Sequence, residues 1–128
     1  MNGQTNYEYA IQTLYESANE NGLISTLHTV FKAPLQINIP FGPKTYAASI
    51  DELDLSVRAQ NCLKRAGIMT VENLMDLAST DELLKLRNLG KKSYNEIKTK
   101  LLVFGYSKLS EIDKKEFWRD FLKNNSQT

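Results

Sequence analysis

The sequence predicts an all-α protein in which a compact module of short helices follows a small, mainly helical arm and precedes a terminal amphipathic helix. Three observations support this fold class. Apolar residues recur every three or four positions through most of the 128 residues, which is the spacing that gives a helix one buried face. Serine or threonine stands where several of these runs begin, and glycine stands where they end. The middle of the chain has no competing alternation of apolar and polar residues of the kind that strands show.

The arm covers residues 1–45. Its apolar spacing predicts a first helix over 7–20 that ends near Asn21-Gly22, and a second helix over 23–32. Residues 35–39 alternate apolar and polar side chains between two prolines, which favours a short strand or an extended segment. The turn residues at 41–44, Phe-Gly-Pro-Lys, mark the boundary with the middle segment.

The middle segment, 46–109, predicts four short helices with tight connections. Ser56 caps a helix that ends near Gly67, Thr70 caps the next, and a short turn through 83–86 follows. The last helix begins after Gly90 and is expected to stop at Gly105. The residues expected to face inward are Ala59, Cys62, Leu63, Ala66, Val71, Leu74, Met75, Ala78, Ile97, Leu101 and Phe104. This pattern predicts a compact helical module with hairpin-like turns.

The tail, 110–128, reads as one amphipathic helix. Ser110 is the expected N-cap, and Asp113 follows it at the capping-box distance. The expected buried stripe has Trp118 at its margin and consists of Ile112, Phe117, Phe121 and Leu122. We expect arm and tail to pack together or to form a self-association surface.

Composition narrows the classes of protein to which the sequence can belong. The net charge is +1 and 41% of the residues are hydrophobic, yet no apolar run reaches the roughly 18 residues that span a bilayer. The amino terminus lacks the basic start and apolar core of a secretory signal, so a cytoplasmic protein without membrane contact is expected. A single cysteine, Cys62, excludes an internal disulfide and a multi-cysteine metal site. His28, the single histidine, is expected to hydrogen-bond locally, and no metal or other cofactor is predicted.

Catalysis is not expected. The sequence has no acid pair at a suitable spacing, no glycine-rich nucleotide loop and no histidine–cysteine set. For the same reason Cys62 is interpreted as a small, partly buried core residue and not as a nucleophile.

The run at 87–93, Arg-Asn-Leu-Gly-Lys-Lys-Ser, predicts a phosphate-binding helix start. The first N–H groups of a helix lack partners within the helix, and the helix dipole makes that end positive. Gly90 allows close approach of an anion, Lys91 and Lys92 add charge, and Ser93 offers a hydroxyl. Residues 85–100 carry six basic residues against one acid, which suits a polyanion. A loop-to-helix turn with solvated lysines would have the same appearance.

Two stretches of the middle segment resemble the carboxy-terminal domain of the bacterial RNA polymerase alpha subunit. The first reads IDELDLSVR at 50–58 and NCLKRAGI at 61–68, and the second reads RNLGKKS at 87–93 and EIK at 96–98. Order, spacing and residue identity match over 48–109. The resemblance implies a small all-helical module that contains a helix-hairpin-helix element.

The resemblance also implies roles for individual residues. Arg58 would enter the minor groove of A·T-rich promoter DNA with the help of Asn61, because a narrow A-tract groove concentrates negative potential. Cys62 and Lys64 would lie beside that contact, and Glu96 is interpreted as orienting Arg58. The flanking phosphates would be held by Gly90, Lys91, Lys92 and Ser93.

Acidic residues before the first cap have a separate implied role. Glu52 and Asp54 match a patch that faces the sigma factor in the family, although they would also suit the positive end of the following helix. A full alpha subunit carries a much larger assembly domain, and nothing in residues 1–45 resembles it. The sequence is therefore interpreted as a free-standing relative that lacks the assembly domain.

Two functions follow from these expectations. The preferred one is a DNA-binding accessory protein of bacterial transcription that holds double-stranded, A·T-rich DNA by a minor-groove arginine and phosphate clamping. The alternative is an interaction module that binds a sigma factor, RNA polymerase or a transcription regulator through the same surface, with little DNA binding. The near-neutral net charge and the acidic pair at 52 and 54 motivate the alternative.

Overall fold

The computed structural model describes residues 3–30, 42–78 and 81–125. These residues form seven α-helices and two short 3-10 turns, with a single isolated bridge between Ser49 and Thr70 and no strand among them. The all-α prediction is therefore confirmed. The expected extended segment at 35–39 lies outside the described residues.

The chain divides into two compact units. One combines residues 1–39 with residues 109–128, and the other is the module Pro40–Lys108. The predicted arm and tail thus contribute their helices to the same unit. Self-association of this unit remains a prediction.

The first unit contains helices α1 (Gly3–Asn21), α2 (Leu23–Val30) and α7 (Glu111–Asn125). Helix α1 ends where the sequence indicated, because Gly22 has a φ of +92° and its N–H donates to the Ala18 carbonyl at 3.0 Å. Ser110 caps α7 as expected by accepting a hydrogen bond from the Asp113 N–H at 3.1 Å. His28 is exposed in the last turn of α2.

Helices α1 and α7 run antiparallel and are joined by polar contacts near both ends. The Tyr7 hydroxyl donates to the Arg119 carbonyl at 2.6 Å, and the Tyr15 hydroxyl donates to the Glu111 carboxylate. Arg119 Nη2 donates to Glu8 Oε2 at 3.0 Å and lies 2.8 Å from Oε1, a contact too poorly aligned to be a second hydrogen bond. The hydrogen bond that Arg119 donates to the Glu8 carboxylate raises the pKa of Arg119 above its ordinary value.

The apolar stripe of α7 differs from the prediction at two residues. Trp118 is fully buried, with edge-on ring contacts to Phe117 at 5.0 Å and Phe121 at 5.4 Å, whereas Ile112 is 75% exposed. The prediction of a marginal Trp118 and a buried Ile112 was wrong. The reason is the packing of α1 against α7 and of α2 against α1, which decides the face of α7 that is covered. The buried apolar residues of α1 and α2 include Ile11, Leu14, Ala18, Leu23 and Leu27.

The module contains helices α3 (Pro43–Tyr46), α4 (Val57–Arg65), α5 (Val71–Ala78) and α6 (Lys91–Ser107). The first 3-10 turn, Ile50–Leu53, precedes α4, and the second, Asp81–Lys85, precedes α6. The backbone on either side of the Ser49–Thr70 bridge is paired as well, with Ile50 N–H to the Met69 carbonyl at 3.0 Å. This pairing fixes the start of α5 beside the first 3-10 turn.

Local signals set the limits of α4 as the sequence indicated. The Ser56 hydroxyl accepts a hydrogen bond from the Ala59 N–H at 3.2 Å, and the Thr70 hydroxyl does the same for Asn73 at the start of α5. Gly67 has a φ of +81°, and the N–H groups of Gly67 and Ile68 bond back to Lys64 and Leu63, each at 3.0 Å. These two hydrogen bonds together are the pattern of a Schellman C-cap.

The module core is formed mainly by the residues predicted to face inward. The fully buried members of the cluster are Ile50, Ala59, Leu63, Val71, Leu74, Leu83 and Ile97. Ala66, which was expected inside, is exposed because it is the C-cap of α4. The expected stop at Gly105 was also wrong. Gly105 is buried between Phe104 and Tyr106, and α6 continues to Ser107, since the roughly 1 kcal/mol cost of a helical glycine is small beside the burial of two aromatic side chains.

Within the described part of the protein, no helix combines the length and the apolar character that crossing a bilayer requires. The same residues contain no group of three or more histidine, cysteine, aspartate or glutamate side chains that could hold a metal ion.

Candidate nucleic-acid interface

Helix α6 begins with an exposed, basic and uncapped turn. Gly90 is the N-cap residue and supplies no side-chain hydrogen bond. Its carbonyl accepts the first bond of the helix, from the Tyr94 N–H at 2.9 Å, so the N–H groups of residues 91–93 precede the intrahelical series. Lys91 and Lys92 are exposed, and among residues 42–78 and 81–125 no ion pair engages them. The turn therefore combines free donors, positive charge and access from solvent.

The backbone at Gly90 does not require glycine. Its φ of −76° and ψ of 167° suit any residue, and a Cβ atom placed there would meet no atom within 4 Å. The empty space in front of the residue is on the solvent side of the helix start. The absence of a side chain at Gly90 leaves this space open to solvent.

Ser93 differs from its neighbours in the turn. Its side chain is buried, with 8% exposure, while Lys91 and Lys92 are exposed. The N–H of Ser93 belongs to the first turn of α6, so the residue can contribute a backbone donor there. The predicted hydroxyl contact to phosphate remains a prediction.

Helix α4 presents Arg58 and Asn61 to solvent. Both side chains are exposed, and no ion pair among the described residues engages Arg58. Cys62 lies one helical turn after Arg58, is 7% exposed, and its thiol donates to the Arg87 carbonyl at 3.4 Å. The face of α4 that carries Arg58 is thus tied to the residues that lead into Gly90.

The turn between the second 3-10 turn and α6 has a defined shape. Asn88 adopts the left-handed conformation with a φ of +67°, which asparagine tolerates better than most residues. The Leu89 N–H donates to the Leu86 carbonyl at 3.2 Å, closing the turn. This geometry aims the backbone into α6 so that Gly90 lies at the exposed end of the helix.

Glu96 ties the two helices together at the other end of α4. Its Oε2 accepts a hydrogen bond from the Ser56 N–H at 2.5 Å, and its Oε1 accepts one from the Ser56 hydroxyl at 2.8 Å. Glu96 therefore holds the residue that begins the helix on which Arg58 lies, and among the described ion pairs it has none with Arg58 itself. Its orienting effect on Arg58 remains a prediction.

Lys64 has a partner, Asp51, that the sequence does not predict. Its Nζ lies 3.1 Å from Asp51 Oδ1, with both side chains substantially exposed, and Gln60 donates to the same carboxylate oxygen. Exposed pairs of this kind contribute about 0–1 kcal/mol, so the ammonium group can exchange this partner for a phosphate. Its expected position beside the Arg58 contact remains a prediction.

The two acidic residues at 52 and 54 are both exposed. Glu52 belongs to the first 3-10 turn, and Asp54 follows it in a left-handed conformation with a φ of 58°. The Asp54 carboxylate lies 3.5 Å from Lys100 Nζ, although its side chain keeps 94% exposure. Neither residue is the cap of α4, since Ser56 has that position.

Two contacts near the site are not predicted by the sequence. The Arg87 backbone carbonyl is the acceptor for the Cys62 thiol. Ser56, the predicted cap of α4, is also the hydrogen-bond partner of Glu96. These contacts join residues 25 and 40 positions apart in the sequence, so no local sequence pattern predicts them.

Comparison with known proteins finds sequence relatives of the module. The family described as bacterial RNA polymerase alpha chain, C-terminal domain, matches residues 41–102. This segment is consistent with a domain like the one that the family describes. A helix-hairpin-helix arrangement is typical of that family's fold. At the level of the family, the domain is associated with bacterial transcription and DNA binding.

Individual relatives match the same part of the sequence. The DNA-directed RNA polymerase subunit alpha of Symbiobacterium thermophilum is 56% identical over 64 residues, which are 50% of this chain and 20% of that protein. The subunit alpha of Clostridium botulinum is 55% identical over 62 residues, which are 48% of this chain and 19% of that protein. The matched segment therefore spans about a fifth of the length of these curated relatives. No solved structure matches it.

Proposed function

We propose that the module binds double-stranded, A·T-rich DNA in bacterial transcription. The start of α6 receives a backbone phosphate, and Arg58 on α4 enters the adjoining minor groove. The observation that carries the proposal is the open N-terminus of α6, where Gly90 leaves space in front of basic residues and unpaired N–H groups. The link from Cys62 to the Arg87 carbonyl supports a common surface for both contacts.

The division of labour between the two helices follows from their chemistry. Lys92 and the first N–H groups of α6 neutralise and hydrogen-bond phosphate, which gives affinity without base preference. A guanidinium is attracted to the narrow minor groove of A-tracts, where the potential is most negative. Arg58 therefore supplies the preference for A·T-rich sequences, and Asn61 adds a donor and an acceptor one turn further along α4.

A salt titration tests the proposal directly. Binding of an A·T-rich duplex and of a G·C-rich duplex of equal length is measured by fluorescence anisotropy at several salt concentrations. We expect tighter binding to the A·T-rich duplex and a logarithmic affinity that falls with salt by about 0.9 for each phosphate neutralised. Equal affinities, or a slope near zero, would contradict the proposal.

Two substitutions separate the contacts. Arg58→Ala is expected to weaken binding to the A·T-rich duplex by about 1–3 kcal/mol and to reduce the A·T preference. Lys92→Ala is expected to weaken binding to both duplexes alike and to lower the salt slope by about one. Lys123→Ala removes one exposed charge from α7, in the other unit, and serves as the control with parental binding. Parental affinity for Arg58→Ala would remove that residue from the interface.

A second candidate function has its own observation. Glu52 and Asp54 are exposed beside the first 3-10 turn, which suits a basic partner such as the sigma factor implied by the resemblance. The double substitution Glu52→Gln with Asp54→Asn, which removes both charges and keeps the side-chain sizes, is expected to abolish binding to purified bacterial sigma factor and to leave the preference for the A·T-rich duplex unchanged. If the parent does not bind sigma factor, this second function fails and the DNA-binding proposal is unaffected.

A further inference from the structure

Helices α4 and α6 begin in opposite electrostatic situations. Neither helix has an acidic residue of its own in the first turn. At α4 the Glu96 carboxylate, supplied by α6, accepts two hydrogen bonds from Ser56, at 2.5 and 2.8 Å. At α6 the first turn carries two lysines and has no side-chain cap. The N-terminus of any helix attracts an anion. At α4 this position is already taken by the Glu96 carboxylate, whereas at α6 it is open.

We propose that Glu96 acts as an internal anion that excludes DNA phosphate from the start of α4 and thereby fixes the register of the DNA backbone on α6. The inference rests on the proposed function. It assigns to Glu96 the choice between two helix N-termini, so that phosphate binds at α6 and not at α4. Glu96 is a positioning residue in this scheme and makes no contact with DNA.

The hydrogen-bonding groups of Ser56 at the start of α4 already have partners. Ser56 gives its N–H and its hydroxyl proton to Glu96, and its hydroxyl oxygen accepts from the Ala59 N–H at 3.2 Å. The Gln60 N–H bonds to the Ser56 carbonyl at 2.9 Å and begins the helical series. A phosphate at this position would lose the Ser56 donors and would meet the negative carboxylate.

The register matters because Arg58 is the second residue of α4. A phosphate held at the start of α4 would lie close to the guanidinium, which would then pair with that phosphate instead of reaching a base edge. With Glu96 in place, the backbone strand binds at α6 and Arg58 remains available for the groove. Glu96 thus increases the preference of the module for A·T-rich DNA and lowers its affinity for DNA of any sequence.

A purely structural role for Glu96 predicts different behaviour. If the carboxylate served only to hold α4 against α6, its loss would loosen the module and weaken binding to every duplex by the same factor. Loss of an excluding charge changes the ratio between duplexes and opens a new anion position. Measurements of the ratio and of the anion position therefore distinguish the two roles.

The first experiment uses inorganic phosphate with Glu96→Gln, which keeps the size of the side chain and removes its charge. Backbone amide shifts of the full-length protein are followed by NMR during the titration. In the parent we expect shifts at residues 91–93 and none at 57–59, whereas Glu96→Gln should show shifts at both. Glu96→Asp keeps the charge and is the matched control, expected to leave 57–59 unmoved. Movement at 57–59 in the parent, or none there in Glu96→Gln, overturns the inference.

The second experiment uses the A·T-rich and G·C-rich duplexes. For Glu96→Gln we expect binding to the G·C-rich duplex to rise about two- to fivefold, as loss of a charge at a helix terminus allows. The ratio of A·T to G·C affinity should fall about fivefold or more, the lower range of discrimination from one directed base contact. An equal loss on both duplexes with an unchanged salt slope would establish the structural role instead.

Failure of the two proposals gives different results. A parent that binds neither duplex contradicts the proposed function, while the phosphate titration still decides the role of Glu96 by itself. Circular dichroism verifies that Glu96→Gln keeps its helices. If it does not, Glu96→Ala, which also removes the carboxylate charge, is the second variant, with shifts at 57–59 expected in the same direction and their absence counting against the inference.

Discussion

Substitution of Gly90 by alanine separates the role of this residue in DNA binding from any role in folding. The φ of −76° and ψ of 167° are accessible to alanine, and its Cβ would meet no atom within 4 Å. Alanine is a poorer N-cap than glycine by roughly 0.5–1 kcal/mol, and it restricts the unfolded state by a similar 0.4–1 kcal/mol. The two effects oppose each other, so the free energy of unfolding should change by no more than about 0.5 kcal/mol.

The effect on DNA binding should be much larger. Charge-assisted hydrogen bonds from backbone N–H groups to phosphate require donor–acceptor distances of about 2.7–2.9 Å. A methyl group on the solvent side of residue 90 prevents that approach and removes at least one bond. Such bonds are worth about 1.5–3 kcal/mol, which corresponds to a roughly tenfold to hundredfold loss of affinity.

Gly42 provides a matched control for this measurement. It is the N-cap of α3, has a φ of −81° and a ψ of 167°, and likewise has no atom within 4 Å of the position that an alanine methyl group would occupy. Gly42→Ala should melt like Gly90→Ala by circular dichroism and bind the A·T-rich duplex like the parent by anisotropy. The reasoning is refuted if Gly90→Ala binds within twofold of the parent, or if both alanine variants lose affinity equally.

Three further predictions concern stability. Trp118→Ala should lower the free energy of unfolding by about 3–5 kcal/mol, whereas Ile112→Ala, at an exposed position, should lower it by less than about 0.5 kcal/mol. Both values are measured by urea titration of the helical circular dichroism signal, and similar losses would contradict the burial of Trp118. Tyr7→Phe should cost about 0.5–1.5 kcal/mol, followed by the fluorescence of the single tryptophan, because the bond to the Arg119 carbonyl is lost; parental stability would count against that bond. Asn88→Val should cost about 1–2 kcal/mol and Asn88→Gly little, because a β-branched residue is strained at a φ of +67°; equal melting of the two variants would exclude the left-handed turn.

Prediction from sequence succeeded where the determining residues are close together in the sequence. The caps Ser56, Thr70 and Ser110 each act on an N–H three residues away, so four consecutive residues contain the whole signal. The positive φ of Gly22 and Gly67 follows from the same local rule. The apolar spacing within the module likewise gave most of its buried cluster, because a helix buries one face at a fixed period.

Prediction failed where the outcome depends on a partner element. Ile112 and Trp118 are both apolar residues of α7, and only the position of the other helices decides that Trp118 is buried and Ile112 exposed. Gly105 carries a local stop signal that the burial of its aromatic neighbours overrides. The pairing of Lys64 with Asp51 likewise arises from the placement of α4 against the first 3-10 turn.

The helical class, the limits of α4 and the resemblance that identified the module could all be read from the order of residues, because caps and motifs are short-range properties. The bond from Cys62 to the Arg87 carbonyl and the occupation of the α4 start by Glu96 became visible only in the folded protein. Those contacts join residues far apart in the sequence, and their existence depends on how α4 and α6 pack around a shared core. Hydrogen bonds act over about 3 Å in space, whatever the separation of the two groups in sequence.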